Sequence, residues 1–259
     1  MDVGLNGRTA IVCASSRGLG RACALALARE GAAVVINGRD PDRLEAAAVA
    51  IRRATSAPVT TVAADLCSAG GRERLMAACP EPDILITNNG GPPPGRFEDW
   101  DHAAWLAALE QNLLAPVLLI RAVIGGMRAR RFGRIVNITS AMVKAPHALM
   151  GLSTAARSAL TAVCKGLSRE VACDNVTINN LLPERIDTDR QRFMAGLQAA
   201  ARGISVEAAY ADIARTIAAQ RLGTPEEFAA ACVYLCSAQA GFVSGQNLQI
   251  DGGSYPGVM

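Results

Sequence analysis

The stretch Thr9-Ala10-Ile11-Val12-Cys13-Ala14-Ser15-Ser16-Arg17-Gly18-Leu19-Gly20 decides the fold. An apolar, partly β-branched run leads into a turn of small residues, and a helical pattern then continues to about Glu30. Such a turn lets backbone N–H groups approach a phosphate at the positive end of the helix. Glycines here also let a helix pack closely on a sheet, so the stretch by itself leaves both interpretations open.

Apolar runs of this kind recur along the whole chain. The predicted strands are Thr9–Cys13, Ala33–Asn37, Val59–Ala63, Ile84–Thr87, Arg134–Ile138, Thr177–Leu182 and Leu248–Ile250. They are short and nearly all apolar, which is typical of parallel strands that are covered on both faces.

Helical patterns lie between these strands. Asp40-Pro41 and Thr224-Pro225 pair an N-cap residue with a proline at the first helical position, and they predict helices to about Thr55 and Ser237. Two long helices are predicted over Asp101–Arg131 and Gly151–Asn175. This serial order predicts an α/β fold: a doubly wound parallel sheet of about seven strands with helices on both faces.

No change of composition divides the 259 residues, so we expect a single domain over residues 1–259. The segment Glu184–Leu222 has no strand character. We interpret residues 184–222 as an insertion between the sixth and seventh strands and predict that it forms a mobile lid.

Composition narrows the classes of function. Hydrophobic residues make up 51% of the chain and charged residues 19%, as in globular proteins. The net charge is only +3 and the basic residues are scattered, so we expect no nucleic-acid partner. The longest apolar run, Leu113–Ile120, is far shorter than the ~20 residues of a membrane span, and the N-terminus has no apolar signal region.

The eight cysteines form no Cys-x-x-Cys pair, and only two histidines, His102 and His147, accompany them. We therefore expect no metal site. Free, mostly buried thiols fit a reducing environment, and we expect a cytoplasmic protein.

Polar motifs follow three of the predicted strands, at the edge where open α/β sheets bind ligands. Together they resemble the short-chain dehydrogenase/reductase family over nearly the whole chain. The family's Thr-Gly-x-x-x-Gly-x-Gly motif aligns with Cys13–Gly20, its Asn-Asn-Ala-Gly with Asn88–Gly91, and its Pro-Gly-x-x-x-Thr with Pro183–Thr188. The ending Ser244–Gly253 is similar to that of 3-oxoacyl-carrier-protein reductases. The resemblance implies a Rossmann-type fold.

The resemblance also implies a dinucleotide site. Its expected contacts are Ala14, Ser16, Arg17, Gly18, Leu19, Gly20, Asn37, Arg39, Asp65, Leu66, Asn89, Gly90, Gly91, Pro183, Ile186 and Thr188. Gly38 stands where proteins selective for NAD place an acidic residue, and Arg39 follows it. Since arginine pairs well with phosphate oxygens, we expect NADP(H) rather than NAD(H), unless Arg17 and Arg39 are only surface charges.

The resemblance fails at the reaction centre. Asn112 aligns with the family's helix asparagine and Ser140 with its catalytic serine. The family's tyrosine and lysine positions hold Ser153 and Arg157. Each residue has an alternative role. Ser140 could equally cap a turn, and Asn112 could do no more than bridge backbone groups within its own helix. Ser153 could be a small polar replacement. Two further departures are Ala14, at the first motif glycine, and Glu184, whose charge would repel a cofactor phosphate.

These substitutions matter because reducing a carbonyl by hydride requires a proton. A serine hydroxyl is a far weaker acid than a tyrosine phenol, and arginine stays protonated. His147 and Lys144 could supply another acid or could be exposed loop residues. At positions i and i+4, Ser153 and Arg157 share a helix face, where Arg157 could still hold a ribose or an anionic group.

We therefore carry three hypotheses. The first is an NADP(H)-dependent oxidoreductase with an atypical centre, acting on a small carbonyl, alcohol or acyl thioester substrate. The second is a nucleotide-binding or regulatory protein without hydride chemistry. The third is a non-redox enzyme, an isomerase or dehydratase, that uses the same cleft. The helices over Asp101–Arg131 and Gly151–Asn175 resemble the family's interface helices, so we expect a homodimer or homotetramer.

Overall fold

The computed structural model describes residues 2–258 and contains one sheet of seven parallel strands. The strands are β1 Thr9–Val12, β2 Ala33–Gly38, β3 Val59–Ala63, β4 Ile84–Thr87, β5 Gly133–Ile138, β6 Val176–Pro183 and β7 Asn247–Ile250. Their order across the sheet is β3-β2-β1-β4-β5-β6-β7. The predicted α/β, doubly wound fold is confirmed.

Helices cover both faces of the sheet. They are α1 Gly18–Arg29, α2 Pro41–Ala54, α3 Ala69–Ala78, α4 His102–Leu109, α5 Ala115–Ala129, α6 Gly151–Val171, α7 Asp189–Arg202, α8 Val206–Arg215 and α9 Pro225–Cys236. One buried apolar cluster joins the sheet to α1, α2 and α9, and a second joins it to α3, α5 and α6. The sheet is therefore buried on both faces, which accounts for its nearly continuous apolar strands.

Two predicted helices differ from the structure. The helix over Asp101–Arg131 is interrupted between α4 and α5 by a π-helical turn, Glu110–Leu114. The helix over Gly151–Asn175 ends at Val171, and a 3₁₀ turn then leads to Asn175, whose φ of 57° is left-handed. Asparagine tolerates this conformation better than most residues, so it ends the helical segment.

The segment predicted as a lid contains two helices. The buried side chains of Ala195, Ala199, Ala209 and Ile213 pack α7 against α8. An isolated parallel bridge between Ile186 and Gly223 closes the base of the segment. The absence of strand character in the sequence thus reflects a pair of helices. The mobility of residues 184–222 stays a prediction.

The helical segment His102–Ala129 is long and apolar enough to span a membrane by length and composition, with a mean hydropathy of 1.5. This was not expected from the sequence, because its uninterrupted apolar runs are short. Leu119, Ile120 and Val123 of α5 are buried in the core beneath the sheet. The segment is therefore a core helix.

The turn between β1 and α1 is tightly packed. A Cβ at Gly20 would lie 2.5 Å from the carbonyl oxygen of Ala14, so only glycine lets the helix come this close. Ala14 itself has a φ of 45°, which an L-residue with a Cβ adopts at a cost of roughly 1–2 kcal/mol.

Replacing Ala14 with glycine should relieve this strain. We expect Ala14→Gly to raise the free energy of unfolding by about 0.5–1 kcal/mol, since the strain removed exceeds the added chain entropy. Urea denaturation measures the change. Ala50→Gly, on the exposed face of α2, is the control and should lower stability by about 1 kcal/mol. A loss of stability in Ala14→Gly would contradict the interpretation.

Large apolar side chains remain exposed on the helices that resemble interface helices. Leu106 of α4, Leu114 of the π turn and Val163 of α6 are 53%, 43% and 48% exposed. We expect a dimer or tetramer to cover them. Light scattering at micromolar concentration should show this assembly, and Val163→Glu should shift it towards monomer. A monomeric wild-type chain would contradict the prediction.

Candidate active site

A cavity of about 770 Å³ opens at the carboxyl edge of the sheet. Its walls come from the turns that follow β1 to β6 and from α6 and α7. Of the expected cofactor contacts and the four residues expected at the reaction centre, only Gly20 and Asn112 do not line it. The parallel sheet brings the others together because all its strands end at the same edge.

Gly20 and Asn112 lie behind the cavity wall. Gly20 packs beneath the carbonyl of Ala14 and permits the tight turn. Asn112 lies in the π turn and is buried, and its Nδ2 donates to the Ala108 carbonyl at 3.4 Å. Its Oδ1 has no hydrogen-bond partner among residues 2–258. Both residues shape the site from within the fold.

Side-chain hydrogen bonds cross four neighbouring strands behind the cavity. Thr87 Oγ1 donates to Asn137 Oδ1 at 2.6 Å, and Asn137 Nδ2 donates to Asn180 Oδ1 at 2.9 Å. Asn180 Nδ2 then donates to Asn247 Oδ1 at 2.8 Å. Each pair is also a register pair of the sheet. We call Thr87, Asn137, Asn180 and Asn247 the polar ladder.

Asn37 has a similar role at the other side of the sheet. Its Nδ2 donates to the carbonyls of Val62 and Ala64 at 3.0 and 3.1 Å, and its Oδ1 accepts from the Ala14 N–H at 3.4 Å. Asn37 lines the cavity, but its buried amide joins the ends of β1, β2 and β3. Its side chain therefore supports the cavity wall.

The centre of the cavity wall is Arg157, which is buried on α6. Its Nε donates to Ser153 Oγ at 3.2 Å. Its Nη1 donates to the carbonyls of Ile138 and Thr139 at 2.7 and 3.0 Å, and its Nη2 donates to the Asn89 carbonyl at 3.4 Å. Four of the five guanidinium N–H groups are thus hydrogen bonded, and Arg157 fixes the ends of β4 and β5 to α6.

Burial, and secondarily the charge of Arg190, lower the pKa of Arg157 to about 10. This pKa is still well above neutral pH, so Arg157 remains a cation and does not relay protons. Among residues 2–258 it forms no ion pair with a carboxylate. A buried cation of this kind favours negative charge nearby.

Two hydroxyl groups face the same cavity. Ser153 Oγ accepts from Arg157, which leaves its own O–H free to donate. Ser140 Oγ accepts from the Met142 N–H at 3.3 Å and caps a short 3₁₀ turn, so its O–H is also free. Both hydroxyls can donate a hydrogen bond to a ligand oxygen, and the capping interpretation of Ser140 is compatible with this.

His147 and Lys144 do not line the cavity. His147 is exposed, and its Nδ1 accepts from the Leu149 N–H at 3.3 Å. The Lys144 ammonium lies 5.7 Å from the centre of the Tyr255 ring. Since neither side chain reaches the cavity lining, the structure does not support either residue as a replacement acid.

Ion pairs neutralise part of the cavity lining. Arg17 pairs with Asp189 at 3.7 Å, Arg43 with Asp40 at 3.8 Å, and Arg185 with Glu184 at 3.6 Å. The pair with Arg185 offsets the charge of Glu184, so the repulsion of a phosphate expected from the sequence is reduced. Arg39, Arg157 and Arg190 line the cavity without a carboxylate partner among residues 2–258.

Several lining residues were not predicted from the sequence. An apolar side of the cavity is formed by Met142, Met150, Phe193 and Met194. Arg185 and Arg190 add charge from the segment between β6 and β7. Arginine and methionine are common types with no spacing motif, so only the fold reveals that they meet.

Comparisons with known proteins agree with this architecture. Residues 13–255 match the family model described as enoyl-(acyl carrier protein) reductase. The NADPH-dependent reductase BacG of Bacillus subtilis is 32% identical over 97% of this chain and 99% of its own length. The chain therefore belongs to the short-chain dehydrogenase/reductase family.

Two further relatives extend the comparison. The 3-oxoacyl-[acyl-carrier-protein] reductase FabG of Escherichia coli is 30% identical over 96% of this chain and 98% of its own. The crystal structure of L-sorbose reductase from Gluconobacter frateurii, complexed with NADPH and L-sorbose, has a TM-score of 0.94 and 29% identity, and all of both chains align. The fold is thus that of a family that includes NADPH-dependent reductases.

Proposed function

We propose that the chain is an NADP(H)-dependent oxidoreductase that transfers hydride to or from a carbonyl or alcohol substrate. One observation carries the proposal: a single cavity joins the Gly-rich turn and unpaired Arg39 to the free hydroxyls of Ser140 and Ser153. The named activities of the relatives, reductases that use NADPH, support it. The single domain over residues 1–259 and the lid at residues 184–222 belong to the same proposal.

The cavity fits a phosphorylated dinucleotide. A Cβ at Gly38 would lie 3.2 Å from Ser16 Cβ, so an acidic residue that selects NAD would be tightly packed at this place. Arg39 lines the cavity without a carboxylate partner among the described residues, and exposed Arg17 has only a long pair with Asp189. Arg39 and Arg17 would hold the 2′-phosphate of NADP(H), which when bound supplies the hydride.

The residues of this chain would stabilise charge on the substrate. The Ser140 and Ser153 hydroxyls would donate hydrogen bonds to the substrate oxygen, and the Arg157 cation would stabilise negative charge that develops there. Neither group is an efficient acid at neutral pH. The proton would come from water ordered beside Ser153 and Arg157 or from an acidic group of the substrate.

A second function is favoured by one observation. Four of the five Arg157 donors bind protein oxygens, as they would if Arg157 had only a structural role. The chain would then be a nucleotide-binding protein without hydride chemistry. Both functions imply that the cavity binds the cofactor, so only a measurement of catalytic turnover distinguishes them.

Cofactor preference tests the role of Arg39. We expect NADPH to bind more tightly than NADH, and Arg39→Ala to weaken NADPH binding roughly 10- to 100-fold through loss of a charge-assisted contact. NADH binding should change little. Calorimetry measures the affinities, and Arg53→Ala on the exposed face of α2 is the matched control. Equal affinities for the two cofactors, unaffected by Arg39→Ala, would overturn the assignment.

Restoring the family's residues tests the reaction centre. We expect the wild type to reduce simple 3-oxoacyl esters with NADPH very slowly, and Ser153→Tyr with Arg157→Lys to raise the rate at least about tenfold. Ser153→Phe with Arg157→Lys is the control, since it adds the same bulk without the hydroxyl. A crystal structure of the double variant shows whether the larger tyrosine side chain fits at position 153. Rapid wild-type reduction that is lost in the double variant would show a different proton donor and would exclude the non-catalytic function.

A further inference from the structure

Two of the three unpaired cations lie at the same part of the cavity. Arg39 follows β2, at the end proposed for the cofactor's 2′-phosphate. Arg157 lies beside Ser153, and the charge of Arg190 contributes to the low pKa of Arg157. Arg157 Nη2 donates to the Asn89 carbonyl and Arg190 Nη2 donates to the Pro92 carbonyl, so both guanidinium groups bind the loop that follows β4. This part of the cavity therefore has two cations and no carboxylate paired with either.

Arg190 is poised to bind a ligand. It lies in the first turn of α7, and its Nη2 donates to the Pro92 carbonyl at 3.0 Å. Its guanidinium carbon lies 5.5 Å from the centre of the Phe193 ring. This one hydrogen bond and the ring contact orient the side chain, while most of its N–H donors are left for a ligand.

We propose that the substrate carries a carboxylate, which Arg190 binds through paired hydrogen bonds and which Arg157 stabilises through its charge. Arginine presents two parallel donors that match the two oxygens of a carboxylate. Arg157 has at most one N–H left for a ligand, so it contributes charge more than hydrogen bonds. Arg190 is accordingly a specificity-determining residue. The proposal rests on the function proposed above and names its substrate class.

The apolar lining defines the rest of the substrate. Met142, Met150, Phe193 and Met194 also line the cavity, and Phe193 lies against Arg190. Unbranched methionines adapt to ligands of different shape. The site thus fits a carbonyl compound with a carboxylate at one end and an apolar substituent at the other. An acyl ester or thioester would leave both cations without a counter-charge.

Matched acids and esters test the proposal. The probes are phenylpyruvate and 3-oxooctanoate, each beside its methyl ester, titrated by calorimetry into the free protein and into the protein saturated with NADP⁺. We expect the wild type to bind at least one acid about tenfold more tightly than its ester. Arg190→Gln should remove this preference and leave ester binding unchanged, and Arg190→Lys should restore part of it.

Arg192→Gln is the matched control. Arg192 lies two residues further along α7, pairs with Asp187 at 3.7 Å and does not line the cavity, so its loss should leave the preference intact. The proposal is overturned if no acid binds better than its ester, or if Arg192→Gln acts as Arg190→Gln does. It is also overturned if Arg190→Gln weakens the binding of NADP⁺ and leaves the preference for the acid over its ester intact, because Arg190 would then bind the cofactor. Failure to bind either cofactor would refute the proposed function, while titration of the free protein would still decide the substrate class.

Discussion

Hydrogen bonds between side chains on neighbouring strands fix the carboxyl edge of the sheet. The polar ladder joins β4 to β7, and Asn37 joins β1 to β3. Apart from the half-buried Asn247, these groups are buried, so a shift of register by one residue would leave amides without partners at about 1–3 kcal/mol each. Every loop that lines the cavity begins within a few residues of this edge, and the position of the site therefore depends on these bonds.

Arg157 extends the same constraint from the sheet to α6. By binding the carbonyls of Ile138, Thr139 and Asn89, it connects the ends of two strands to the helix that carries Ser153. The arrangement places a permanent positive charge in the wall of a ligand cavity. It provides no group that exchanges protons readily near neutral pH, so in the proposed reaction the proton would come from elsewhere.

The sequence predicted the strands to within one residue, because each is a buried apolar run bounded by turn residues. It also predicted about half of the cavity lining, since the motifs follow strand ends that must meet at one edge. The π turn at Glu110–Leu114 was not predictable, because it lies inside an unbroken helical pattern. Arg190 and Phe193 were missed for a related reason. Their proximity to α6 arises from the packing of distant segments, which no local spacing records.

The bond between Arg157 and Ser153 has a consequence for how this site can evolve. A tyrosine at position 153 alone would have to share its space with the guanidinium, and a lysine at position 157 alone would supply one charged nitrogen where three now bind four oxygens. Each single substitution is therefore unfavourable as long as the other position keeps its present residue. The two positions are therefore coupled, and we expect a substitution at one of them to be tolerated only together with a substitution at the other.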